Sequence, residues 1–278
     1  MSIEVRPLTP QIGAEVFGVD ITKPMGNADF DAVQQAFLDH LIIVFRDQPL
    51  NDDQLMTLGR QFGPLLVHPF LQNDGPNPEV IHIKREPADQ AIVGAEWHSD
   101  TTSIEAPPLA GVLHCIETPR AGGDTLFASQ YRAYEALSDG MKEMLDGMIA
   151  VHNDTRVAGP QSGVNGSRAN RVREDADWTP GSAEHPVIRT HPETGKKALF
   201  VNISYTRYFK GMTEEESAPL LNYLFRHAVG PEFTCRVGWR PGSTVIWDNR
   251  CVKHLAINDC GPHRREMHRV QVAGDRPH

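Results

Sequence analysis

The segment Glu96-Trp97-His98-Ser99-Asp100 sets an imidazole and a carboxylate two residues apart. On extended backbone, positions i and i+2 point to the same side, so His98 and Asp100 could meet one metal ion. Alone, H-x-D is weak, because it arises by chance in many chains. A second segment, VIWDNRCVKH, reads as a strand, a short turn and then His254. In a barrel it could bring that imidazole to the same point. Two histidines and one carboxylate on one face of an ion leave three positions open. That suits non-haem Fe(II), where a bidentate cosubstrate and O2 need adjacent sites. A zinc hydrolase usually keeps only one open position, and no H-E-x-x-H is present; a His-Asp-His zinc hydrolase stays as a rival reading.

The third segment, HRREMHR, is basic. Arg265 and Arg269 are four apart, so on a strand they share a face. Guanidinium groups bind carboxylates and sulfonates through paired hydrogen bonds, and two beside a metal would hold two different anions. By itself the segment also reads as a solvated basic run. Of the 13 histidines, His40, His82, His114, His152, His185, His191, His227, His263 and His278 read as structural or exposed. Trp97 and Trp247 flank the ligand segments and read first as core.

These segments need a frame. The chain has 278 residues, 40% hydrophobic, with 27 basic and 36 acidic side chains for a net charge of −9. The length allows one large domain or two small ones, and the apolar share excludes wholesale disorder. There is no run of about 18 apolar residues to span a membrane, and the start, MSIEVRPLTP, does not read as a secretory signal. The negative charge disfavours a general nucleic-acid binder. The four cysteines form no C-x-x-C pair, so reduced thiols in a cytoplasmic protein are expected.

Phe30, Val33, Phe37 and Leu41 recur at helical spacing, which predicts a helix over 27–41. LIIVF (41–45) reads as a buried strand, and 51–62 as a second helix stopped by Gly63-Pro64. Strands are predicted at 108–117, 124–129, 186–191, 197–202, 233–238, 243–248, 251–257 and 268–272. Two helices interrupt them, over 133–148 and from the capping-box spelling Thr213-x-x-Glu216 to about Val229. Many short strands argue a sandwich or barrel, and no nucleotide-binding glycine motif is present. Residues 155–182, rich in Gly, Ser, Asn and Arg, read as a long loop that is a mobile lid first, and otherwise a binding loop or plain disorder.

WHSDTTSIEAPPLAGVL, GGDTLFAS, VIWDNRCVKH and RREMHRVQVAGDRP together resemble the Fe(II)/2-oxoglutarate-dependent dioxygenases related to taurine dioxygenase and the phenoxyalkanoate herbicide dioxygenases. The resemblance runs from VFGVDIT to the C-terminus. It implies one dioxygenase domain over 1–278, mainly β with flanking α-helices around a double-stranded β-helix, the jelly roll or cupin-like core. It implies Fe(II) held by His98, Asp100 and His254, with 2-oxoglutarate and O2 as cosubstrates. Thr125 and Arg265 would hold the far carboxylate of 2-oxoglutarate. Arg269, His68 and Tyr205 would face a small anionic organic substrate: an aryloxyalkanoate, alkyl sulfate or sulfonate. Hydroxylation would yield succinate and CO2, with C–O or C–S cleavage where the hydroxylated carbon carries oxygen or sulfonate. A homo-oligomer is expected. The asparagine that taurine dioxygenase carries before its metal motif is missing from Gly94-Ala95-Glu96, and its tyrosine after H-P is replaced by Leu71. Contacts to an amine are thus lost while contacts to an anion are kept. A jelly-roll protein that kept the metal or ligand site without turnover is the alternative.

Overall fold

Short apolar runs closed by glycine and proline turns form most of the elements. A computed structural model describes residues 3–72, 75–159, 162–167, 169–172 and 178–278. The first strands are β1 (Glu4–Pro7), β2 (Ala14–Phe17), β3 (Ile42–Phe45), β4 (Leu65–Leu66), β5 (Ile81–Arg85), β6 (Ala110–Glu117), β7 (Thr125–Ser129) and β8 (Ile149–Asn153). They are followed by β9 (Ser182–Pro186), β10 (Ile188–Thr190), β11 (Lys197–Leu199), β12 (Thr206–Phe209), β13 (Thr234–Val237), β14 (Thr244–Asp248), β15 (Val252–Ala256) and β16 (Arg265–Val272). The helices are α1 (Asn27–His40), α2 (Asp52–Phe62), α3 (Gln130–Glu135), α4 (Asp139–Leu145) and α5 (Glu214–His227).

The large sheet runs β1-β2-β3-β14-β6-β16-β4, with β5 also on β16. A smaller sheet, β13-β7-β15, packs against it, and β12-β8-β9 and the hairpin β10-β11 complete the strands. The central strands are buried on both faces, which is why LIIVF shows no polar alternation. Ile43, Phe45 and Ile246 join the core under α1 and α2. Ile42, Val44, Val245 and Trp247 face the smaller sheet and meet Phe127, Cys235 and Val252. This is the mainly β jelly roll with flanking helices that the resemblance implies.

Local signals set several boundaries. Asn51 accepts the Gln54 N–H while the Gln54 side chain accepts that of Asn51, a capping box that starts α2. Thr213 and Glu216 form the expected one on α5. The single helix expected over 133–148 is instead two, α3 and α4. Ser138 caps α4 by accepting the Met141 N–H at 3.3 Å, and that local bond competes with continuing α3. The strand expected at 268–272 begins earlier, at Arg265.

Gly111 is a packing requirement. It lies opposite Trp247 in the β14–β6 register, and a Cβ there would fall inside the indole. Trp247 in turn lies 4.7 Å from the His254 ring, centroid to centroid. Gly111→Ala is therefore expected to cost about 1–3 kcal/mol of folding free energy through overpacking. Urea unfolding checks this, and an unchanged midpoint would contradict it.

Candidate metal and substrate site

An isolated antiparallel bridge joins His98 to His254. Each backbone N–H donates to the other residue's carbonyl, at 3.0 and 2.8 Å. The two imidazoles consequently lie with centroids 4.2 Å apart. Asp100 points to the same side: its Oδ1 is 3.5 Å from His98 Nε2 and 3.8 Å from His254 Nε2. Ligand atoms of all three lie within 4.8 Å of one another, and all three residues are buried. The β7–β15 register, which sets His254 opposite Phe127, holds the distal member in place.

The protonation states suit a divalent cation. His98 Nδ1 lies 2.7 Å from the Glu96 carbonyl, which can only accept, so Nδ1 donates and Nε2 is the nitrogen that faces the centre. Burial, then the neighbouring His98, holds the His254 pKa well below its ordinary value. Burial opposes ionisation of Asp100, but the charge of Arg269 outweighs it and keeps the carboxyl well below the usual range. Two imidazoles and one carboxylate are the donor set that fits Fe(II).

Two other clusters among the described residues fit an ion less well. His82 and His268 bond different oxygens of Asp52. Their rings stack at 3.9 Å and 19°, so one ion cannot lie in both ring planes. In the other, Asp248 is engaged by His191 at 2.9 Å and by Arg250 at 2.7 and 2.8 Å. That cluster stiffens the turn from β14 to β15.

Thr125 and Arg265 line a small cavity with His98, His254 and Trp247. Arg265 donates through Nε to the Gly123 carbonyl at 3.1 Å, and Trp239 Nε1 donates to Thr125 Oγ1 at 3.0 Å. Gly123 has φ 73°, so the GGDT turn uses a conformation open to glycine. The structure thus brings the two residues together beside the metal candidates.

A second cavity, of about 660 Å³, adjoins the first at His98 and Arg269 and is lined also by Asp100, His68 and Tyr205. Arg269 Nη1 lies 3.1 and 3.3 Å from the two Asp100 oxygens, while its buried Nε has no partner among the described residues. His68 Nδ1 accepts the N–H groups of Phe70 and Leu71, at 3.3 and 3.1 Å. Burial, then the charge of Arg269, pushes its pKa to about 3, so it presents a neutral Nε2–H. Leu71, Phe70 and Tyr205 form an apolar wall with Val172 and Val164. Gly94 has φ 79°, and a Cβ there would come within 3.1 Å of His98 Cε1, so a side chain at this position would crowd the ligand ring.

Arg156, Arg207 and Ser204 also line this cavity. None was singled out from the sequence, because no local pattern marks them. Within 155–182, the described residues pack over the cavity: Leu71 bridges Val172, and Gln72 N–H donates to the Arg171 carbonyl at 3.0 Å. Asn165 bonds Val172 through both its N–H and its carbonyl. Residues 160, 161, 168 and 173–177 of the expected lid lie outside the described residues.

The chain matches the family model described as taurine catabolism dioxygenase TauD, TfdA family over residues 4–271. It is 32% identical to an alkylsulfatase of Acinetobacter baylyi, across 98% of this chain and 86% of that protein. It is likewise 32% identical to an alpha-ketoglutarate-dependent sulfate ester dioxygenase of Pseudomonas putida, across 100% of this chain and 91% of that protein. Among solved structures, a taurine dioxygenase from Burkholderia xenovorans superposes with a TM-score of 0.83 at 34% identity, over 100% of this chain and 91% of that one.

Two outcomes follow from this geometry. Asp100→Ala is expected to abolish stoichiometric Mn(II) binding in equilibrium dialysis with an unchanged circular dichroism spectrum; retained binding would contradict the ligand set. Burial opposes the charge of Asp248, but its bonds to Arg250 and His191 bring its pKa from 3.8 to about 2. A folded-state pKa below the unfolded one stabilises fully above the unfolded value and drains away as pH falls through 3.8 toward 2. Asp248→Asn should therefore flatten the acid limb of stability against pH, measured by chemical unfolding.

Proposed function

Because this chain belongs to the taurine catabolism dioxygenase TauD, TfdA family, we propose that its substrate is a small anion with an apolar tail, and foremost an alkyl sulfate ester. The enzyme is a dioxygenase that uses Fe(II), 2-oxoglutarate and O2. In this reading His98, Asp100 and His254 hold the iron. When bound, that centre couples oxidative decarboxylation of 2-oxoglutarate to hydroxylation of a substrate C–H, releasing succinate and CO2. Arg265 and the Thr125 hydroxyl hold the far carboxylate of 2-oxoglutarate.

The observation that carries the substrate class is the 660 Å³ cavity, with the buried Arg269 cation at the metal carboxylate and aliphatic walls from Leu71, Val93 and Val157. Arg269 and the neutral Nε2–H of His68 take the anionic head, because both present donors to an acceptor-only group. Tyr205 stands over the same space. The aliphatic walls bury the tail and exclude water, worth about 25 cal/mol per Å² of apolar surface covered. Hydroxylation of the carbon that bears the ester oxygen gives a product that collapses to an aldehyde and free sulfate. The sulfate-ester relatives support this choice. Sulfonates and aryloxyalkanoates present a similar head and belong in the same screen.

The chain works as one dioxygenase domain over 1–278, with 155–182 as the lid over the substrate cavity. It is placed in the cytoplasm as an assembly of identical subunits, with its four buried thiols reduced. No helix among the described residues is long and apolar enough to cross a membrane.

The test is succinate release from 2-oxoglutarate with Fe(II) and O2, screened with alkyl sulfates of rising chain length. Medium-chain sulfates should stimulate release and yield stoichiometric sulfate; taurine should not. Absence of iron-dependent turnover with every small anion would contradict the oxygenase reading and leave the binding-protein and zinc-hydrolase alternatives. Arg269→Lys should lower kcat/KM for the preferred anion by about 10–100-fold, the scale of a lost charge-assisted pair. Substrate-independent decay of 2-oxoglutarate should change much less, and equal losses would assign Arg269 to Asp100 alone.

A further inference from the structure

The turn between β14 and β15 carries Asn249, a buried residue outside the set that touches metal, cosubstrate or substrate. We propose that Asn249 is the positioning residue for the metal carboxylate, an inference that rests on the reading of Asp100 as a ligand. The Asn249 side-chain oxygen accepts the Asp100 N–H at 2.7 Å. Its amide nitrogen donates to the Asp100 carbonyl at 3.1 Å and to the Pro108 carbonyl at 3.0 Å. Both N–H groups of the amide and its oxygen are thereby used. One side chain clamps the peptide groups on both sides of Asp100.

The backbone there needs a clamp. Thr101 has φ 51°, a left-handed conformation that a β-branched residue rarely adopts. The bond from Asn249 to the Asp100 carbonyl fixes the peptide plane between Asp100 and Thr101. Without it that plane can relax, and the carboxylate swings away from the point where it meets His98 and His254. Asn249 is itself anchored: its backbone N–H donates to the Leu109 carbonyl at 2.9 Å, and its neighbours Asp248 and Arg250 are paired with each other. The same turn leads directly into β15 and His254. Asn249 therefore ties the segment that carries Asp100 to the segment that carries the distal histidine.

Two variants test this in the full chain. Asn249→Asp keeps an acceptor for the Asp100 N–H but loses both donors, and Asn249→Ser shortens the reach. Mn(II) affinity by calorimetry and the Tm of the metal-free protein are measured together. The expected result is a loss of affinity of about tenfold or more, the scale reported for groups that orient metal ligands, with little change in Tm. A folded variant that binds Mn(II) within about twofold of the parent, well short of that scale, would overturn the proposal. Failure of both variants to fold would also overturn it, by assigning Asn249 to the fold. Asp100→Ala is the control: if it binds Mn(II) like the parent, the ligand reading itself fails, whatever Asn249 does.

Discussion

Two backbone hydrogen bonds between His98 and His254 hold the two halves of the site together. Residues far apart in the chain thereby become neighbours on one sheet edge. The bridge needs β15 in register with β7 and the facing sheets at the spacing that Trp247 and Gly111 set. A shift of one residue in β15 would turn His254 away and aim Lys253 inward instead, since alternate residues of a strand face opposite sides. The jelly roll matters to function chiefly as the device that keeps this register.

The second constraint is charge. An ionised carboxylate in a dry site costs several kcal/mol unless it is paired. Asp100 is buried beside Arg269, which touches both of its oxygens. Of the two imidazoles on its other side, one is oriented by its bond to the Glu96 carbonyl and the other is kept neutral by burial. A cation held by Asp100 would meet much of the demand that Arg269 now meets and leave the guanidinium to a substrate anion. In the proposed reading the arginine thus links the metal side of the site to the substrate side. The neutral His68 adds a donor without a second charge to bury.

Much of this was legible before any coordinates. The H-x-D pair and the Arg265/Arg269 spacing follow from the two-residue period of extended chain, and the structure keeps both: Arg265 and Arg269 are buried on one face of β16 while Glu266 and His268 are partly exposed. The helix start at Thr213 was readable because a capping box is local chemistry, while the box at Asn51 appears only in the structure. The break between α3 and α4 was missed because Ser138 is unremarkable until its hydroxyl meets Met141 N–H. Arg156, Arg207 and Asn249 were not legible, since their roles depend on partners distant in sequence. His82, which the sequence reads as structural or exposed, stacks on its cross-strand neighbour His268, and the two share Asp52 on α2.

The central claim is that His98, Asp100 and His254 converge on one ferrous ion. Anomalous X-ray scattering at the iron edge, from crystals grown anaerobically with Fe(II) and 2-oxoglutarate, tests it most directly. The account requires a single strong peak within coordinating distance of both Nε2 atoms and an Asp100 carboxylate oxygen. A peak elsewhere, for example between His82 and His268, with nothing at this triad, would contradict it.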